Sequence, residues 1–203
     1  MAKTTFAEEV YLHALTGRLV GEDLLASYNK VAVVSMKNII CCSTATAAES
    51  AFISQTGGKA WHFIVEKGNE KEVAEQLKEY DGDAILLLFG GGTPIEEAKE
   101  LFSNLLEEMA LHEIVADIII HVRIFAAGGL DEAIKNEKIK EYLKERNVYL
   151  YTFDLDNGLM LVHEMEFNDG MKLHRIAELP ITCEHANLLN KSLRDKKIAW
   201  VET

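Results

Sequence analysis

Residues 85–89 read Ile-Leu-Leu-Leu-Phe. Gly90-Gly91-Gly92 follow at once, and then Thr93-Pro94-Ile95-Glu96-Glu97. An apolar run with no polar break predicts a strand buried on both faces, as in a parallel sheet covered by helices on each side. Thr93 suits an N-cap, Pro94 the first helical position, and the two glutamates the positive end of a helix. A strand closed by glycines that open a helix is how α/β proteins frame a small anion site. The stretch therefore predicts an α/β fold: a three-layer sandwich with a mostly parallel, Rossmann-like sheet.

A second stretch has the same plan. Ile118 to Phe125 predicts a strand, Ala126-Ala127-Gly128-Gly129 closes it, and Leu130-Asp131-Glu132 starts a helix running to about Arg146. Right-handed crossovers in a parallel sheet bring both loops out at one edge, side by side if their strands are neighbours.

Thr5 and Glu8 fit a capping box for a first helix that stops near Gly17, and a second short helix spans Glu22 to Tyr28. Val31 to Ser35 is the first clear strand. Ile39 to Cys42 is a second apolar run, which would form either a tight hairpin with the first strand or one strand with a kink, before a helix that passes Phe52 and ends at Gly57-Gly58. Ala60 to Val65 is a strand, and Asn69 caps a helix to about Tyr80. After Arg146 the character changes. Val148 to Leu155, Leu159 to Phe167 and Met171 to Ala177 read as an antiparallel meander turning at Asn157-Gly158 and around Asp169-Gly170. Three-residue loops would pair Phe153 with Leu161 and Met165 with Leu173. They would set His163 between Tyr151 and Arg175 and gather Tyr149, Tyr151 and Phe153 on one apolar face. Thr182 caps a last helix, and Ile198 to Val201 reads as a final strand. The organisation expected is one α/β domain over 1–203: N-terminal helices in 1–30, a β/α core in 31–146, and the meander with the last helix in 147–203.

The formal charge of −12 argues against a nucleic-acid backbone or an anionic membrane surface as partner. Glu8 and Glu9 interrupt the apolar pattern of the N-terminus, which excludes a signal peptide or a membrane span there. Cys41, Cys42 and Cys183 make no disulfide framework, so a reducing, cytoplasmic setting is expected. Their spacing, with His185, makes no metal motif, and no metal is assigned.

The ligand reading centres on Gly90, Gly91, Gly92, Thr93, Gly128 and Gly129, whose N–H groups would hold a phosphate or carboxylate. Ser43 and Thr44 would add hydroxyls from a neighbouring loop. His121 and Arg123, two apart on an apolar strand, share a face and need a partner; Asp131 is one. These three are the expected catalytic residues. His13 reads as a partly exposed helical residue, and His62 has no supporting pattern. Neither glycine loop matches a nucleotide fingerprint, so no cofactor is named. Two functions follow. One is an enzyme, a transferase or hydrolase, acting on a phosphate- or nucleotide-bearing small molecule. The other is a non-catalytic ligand-sensing or assembly protein. The apolar meander face needs covering, which predicts a homo-oligomer.

Overall fold

The computed structural model describes residues 4–168 and 170–193. Asp169 and the strand expected at Ile198 to Val201 lie outside the described residues.

Among the described residues one seven-stranded sheet organises the fold, in the order β2-β1-β3-β4-β5-β6-β7. The strands are β1 (Lys30–Met36), β2 (Lys59–Val65), β3 (Ala84–Leu88), β4 (Asp117–Ile120), β5 (Val148–Asp154), β6 (Leu159–Glu166) and β7 (Lys172–Pro180). β1 to β5 are parallel; β6 and β7 return antiparallel. The chain winds outward from β1 to β2, then crosses back to β3 on the other side of β1. Crossovers diverge at that reversal, which leaves a crevice beyond the carboxyl ends of the strands.

Helices cover both faces. On one side lie α3 (Glu70–Tyr80), α4 (Ile95–Leu111), α6 (Gly129–Ala133) and α7 (Glu137–Lys144). They pack on Val34, Leu87 and Ile120 from the strands. On the other lie α1 (Phe6–Leu19), a π-helical turn at Val20–Leu24, α2 (Ile39–Thr56) and α8 (Cys183–Ser192), over Val33, Leu86 and Tyr151. Neighbouring residues of one strand thus serve opposite cores, which is why β3 is apolar throughout and β1 is apolar from Val31 to Val34. Phe52 and Phe102 anchor the two layers with no exposed surface, each burial worth about 1.5–3 kcal/mol.

Several expectations hold. Thr5 and Glu8 form the capping box, Thr182 caps α8 by accepting from the His185 N–H, and α2 ends at a left-handed Gly57. Others are corrected. Gly17 does not stop α1. It lies inside the helix, where a Cβ would stand 2.2 Å from the Thr44 carbonyl oxygen, so it lets α1 lie directly on α2. Ile39 to Cys42 is not a strand but the first turn of α2. Asn38 caps it by accepting from the Cys41 N–H at 2.9 Å. β4 ends at Ile120, and His121 opens a short helix, α5 (Val122–Ala126). The helix expected from Leu130 to Arg146 is broken, with Asn136 capping its second half, α7.

The meander exists, and its second turn has the expected register, with Met165 opposite Leu173 and His163 opposite Arg175. The first turn is one residue longer than expected. Asp154 pairs with Leu159, Phe153 with Met160 and Leu150 with His163. Between Val162 and His163 the β6–β7 pairing shifts by one residue, leaving Ile176 of β7 as a bulge. The aromatic face of β5 is covered within the chain, where Tyr151 and Phe153 pack in the same core as Leu12 of α1 and Leu189 of α8. That removes the reason for inferring an oligomer from this face.

Candidate functional site

At the carboxyl ends of the parallel strands, α1 and α8 lean over the sheet edge and leave a pocket of about 300 Å³. The first helix supplies Glu9, Leu12, His13 and Thr16. Ile40 comes from the first turn of α2, Gly91 from the loop after β3, and His121, Val122 and Arg123 from the chain leaving β4. Phe153 of β5 and Leu189, Ser192 and Leu193 of the C-terminal helix close it. Its volume falls at the small end of ligand pockets, and its place beside the reversal in strand order is where open α/β sheets bind ligands.

The polar groups around this pocket are unusual. Rings of His13 and His121 stand 6.3 Å apart, and Tyr151 meets His121 edge-on at 5.7 Å. His121 is 6 % exposed, and its Nδ1 has no hydrogen-bond partner among the described residues; the buried Tyr151 hydroxyl has none either. Burial holds the His121 pKa down at about 3, with His13 and Arg123 adding to the effect. His185 sits at about 4, again through burial, and its Nε2 lies 3.0 Å from the Thr16 hydroxyl. Burial also lowers the pKa of His13, while Glu9 raises it and Arg123 lowers it. All three rings are therefore neutral near pH 7 and act as hydrogen-bonding groups rather than charges.

The charges are Glu9 and Arg123. Glu9 accepts from the Ser192 hydroxyl at 2.8 Å, and its backbone carbonyl lies 2.8 Å from His13 Nδ1. The stem of Arg123 passes over Gly90, where a Cβ would stand 2.6 Å from its Cγ. Among the described residues neither Glu9 nor Arg123 has an ion-pair partner, whereas the adjacent Glu8 is bonded to Lys191.

The expected site residues divide sharply. Gly91, His121 and Arg123 border one pocket. Gly90 stands beneath Arg123, but its N–H is directed at Met36 Sδ at 3.4 Å and its carbonyl accepts from Asn38. Thr93 does not cap α4: Pro94 occupies that position, the Thr93 N–H returns to the Gly90 carbonyl, and its hydroxyl accepts from Asn38 Nδ2 at 3.2 Å. Gly92 lies in the same turn but does not line the pocket. Gly128 and Gly129 are not at a strand end. They join α5 to α6, and Gly129 packs on Ile124, so they are helix-packing residues. Asp131 is exposed in α6 and has no ion pair with Arg123, so the trio with His121 is not assembled. Ser43 and Thr44 are inside α2, and both hydroxyls are spent on the Ile40 carbonyl. His121 and Arg123 share the pocket because a helical turn follows β4, not because they alternate along a strand.

Sequence reasoning missed Glu9, His13 and the α8 residues. On α1 alone Glu9 and His13 look like ordinary surface positions, and only the docking of α8, remote in sequence, makes them pocket walls. Another array needed the fold to appear. Ser35 Oγ lies 2.7 Å from His62 Nε2, and His62 Nδ1 lies 4.0 Å from Glu49. The order resembles a nucleophile, base and acid, but the second contact is beyond hydrogen-bond range and Ser35 is fully buried. It is a polar plug beneath α2. No three His, Cys, Asp or Glu side chains gather as metal ligands among the described residues.

No helix among the described residues is long and apolar enough to cross a membrane. A protein of Aquifex aeolicus is 30% identical over 118 residues, covering 58% of this chain and 54% of that protein; the chain thus spans about half the length of this curated relative. Among solved structures, a solute binding protein of an ABC transporter from Rhodopseudomonas palustris, in complex with 3,4-dihydroxybenzoic acid, is 11% identical. Its TM-score is 0.55, over 85% of this chain and 66% of that one. A Rhodospirillum rubrum protein described as a branched-chain amino acid ABC transporter is 19% identical, with a TM-score of 0.50 over 70% of this chain and 38% of that one. At these identities the likeness is one of fold. A family model described as "Uncharacterized protein" matches residues 9–188, from the pocket's Glu9 to the edge of its α8 wall, and the chain belongs to that family.

Proposed function

We propose that this chain binds a small anionic molecule in the pocket between α1, α8 and the carboxyl edge of the sheet. One observation carries the reading: Arg123, a cation without an ion-pair partner among the described residues, borders the same pocket as the buried His121, whose Nδ1 lacks a hydrogen bond among them. A buried imidazole nitrogen left unpaired costs about 1–3 kcal/mol, and a ligand group would recover it. An arginine offers a carboxylate or a phosphate two parallel donors. Gly91 adds backbone at the rim, so the anion is held by one arginine and a neutral ring rather than by a glycine cradle.

Binding rather than catalysis is the better reading. His121 stays neutral far below physiological pH, and Asp131, exposed on α6, makes no hydrogen bond or ion pair with it among the described residues. A carboxylate- or phosphate-bearing ligand satisfies the same groups. Titration calorimetry against a panel of small carboxylates and phosphates, with wild type and Arg123→Gln, tests the proposal. Binding that weakens at least about tenfold in Arg123→Gln supports it; no binding of any anion, or binding indifferent to Arg123, contradicts it.

A further inference from the structure

The pocket offers more than an anion requires. Glu9 borders it opposite in charge to Arg123, and neither is neutralised by an ion pair among the described residues. Glu9 keeps only a neutral partner, the Ser192 hydroxyl. Both line the same small pocket, yet no ion pair joins them among the described residues. Much of the remaining wall is apolar, built from Leu12, Ile40, Val122, Phe153, Leu189 and Leu193.

A simple anion would satisfy the exposed Arg123 and bring its charge toward the half-buried Glu9, which is unfavourable. A ligand with a cationic group on the same small skeleton removes that conflict. Resting on the anion-binding reading above, we infer that the ligand is a zwitterion: an α-amino acid with an apolar side chain. Its carboxylate faces Arg123, its ammonium faces Glu9, and its side chain lies on the aliphatic and aromatic wall. The pocket of about 300 Å³ admits a molecule of this size. Specificity comes from unpaired groups: a ligand lacking the amine leaves Glu9 beside a new negative charge, and one lacking the carboxylate leaves Arg123 beside a new positive one.

The test is calorimetry with L-leucine and L-phenylalanine, their des-amino acids 4-methylpentanoate and 3-phenylpropanoate, and their decarboxylated amines. At least one amino acid is expected to bind about tenfold or more tightly than either truncated partner. Glu9→Gln is expected to erase the advantage over the des-amino acid while leaving the affinity for that acid unchanged or improved, which also reports that the variant is folded. Equal affinity for an amino acid and its des-amino acid, both lost in Arg123→Gln, overturns the zwitterion and leaves the anion site standing. Failure of every carboxylate to bind overturns both. An amino-acid preference that survives in Glu9→Gln overturns the role given to Glu9.

Discussion

The rings of His13, on α1, and His121, at the end of β4, stand 6.3 Å apart at one pocket, and burial keeps both from protonating readily. The pair joins two parts of the chain that meet only when the N-terminal helix docks on the sheet edge. It also gives the native state a pH dependence whose sign is fixed.

Burial holds the pKa of His121 down at about 3 and that of His185 at about 4 in the folded protein, against 6.5 for an ordinary histidine. Between those limits the unfolded chain binds protons that the native state excludes, so stability is complete above about pH 6.5 and is lost as pH falls. His13 adds to this in the same direction. The melting temperature is expected to be flat above about pH 7 and to drop steadily from about pH 6 to pH 4. His121→Gln removes one of these excluded protons, so its midpoint should fall less steeply over that window. A variant whose slope parallels the wild type would show that His121 is not held neutral by its surroundings.

Asn38 ties the first turn of α2 to the glycine loop. Its Oδ1 accepts from the Cys41 N–H, and its Nδ2 reaches the Gly90 carbonyl at 3.3 Å and the Thr93 hydroxyl at 3.2 Å. Asn38→Ala should cost about 1–2 kcal/mol in urea denaturation, the worth of an N-cap with some loss of loop order. Asn38→Asp keeps the cap acceptor and loses the two donations, so it should recover most of the stability. Amide exchange at Gly91 to Thr93 should quicken in both variants. A loss in Asn38→Ala below about half a kcal/mol would contradict the double role.

Gly17 and Gly21 let α1 and its π-helical extension touch α2, each with a would-be Cβ 2.2 Å from a carbonyl oxygen, of Thr44 and of Ala48. An alanine in an exposed helix gains about 1 kcal/mol over glycine. At Gly17 the sign should reverse, with a loss of about 1–3 kcal/mol from overpacking against a rigid backbone. Because Glu9 and His13 ride on the same helix, ligand affinity should fall as well. A stabilised Gly17→Ala would mean that the two helices do not meet this closely.

Much of the fold was legible because strands buried on both faces announce themselves. Ile85 to Leu88 and Val31 to Val34 have no polar break, and the caps at Thr5 and Thr182 follow from side-chain chemistry within four residues. What was misread lay where one pattern serves two structures. Ile39 to Cys42 is apolar enough for a strand, and only Asn38 as a cap, weighed against the long helix beyond, could have favoured a helical start. His121 and Arg123 alternate like strand residues, yet β4 stops at Ile120 and the periodicity says nothing of that. The first hairpin is one residue longer than a three-residue loop predicts because Leu155 joins Asp156, Asn157 and Gly158 in the turn. For the site, Gly91, His121 and Arg123 were within reach of sequence. Glu9, His13 and Ser192 were not, since their meeting depends on α8 folding back over α1 across most of the chain.

Histidine-ring nitrogen NMR during titration with the amino acid or carboxylate that binds most tightly tests the pocket most directly. Occupancy there should shift the His13 and His121 resonances in a saturable way, while His112 and His174, which do not line the pocket, stay fixed. Saturable binding that leaves His13 and His121 unmoved, or that moves His112 or His174 instead, would put the ligand somewhere other than the carboxyl edge of the sheet.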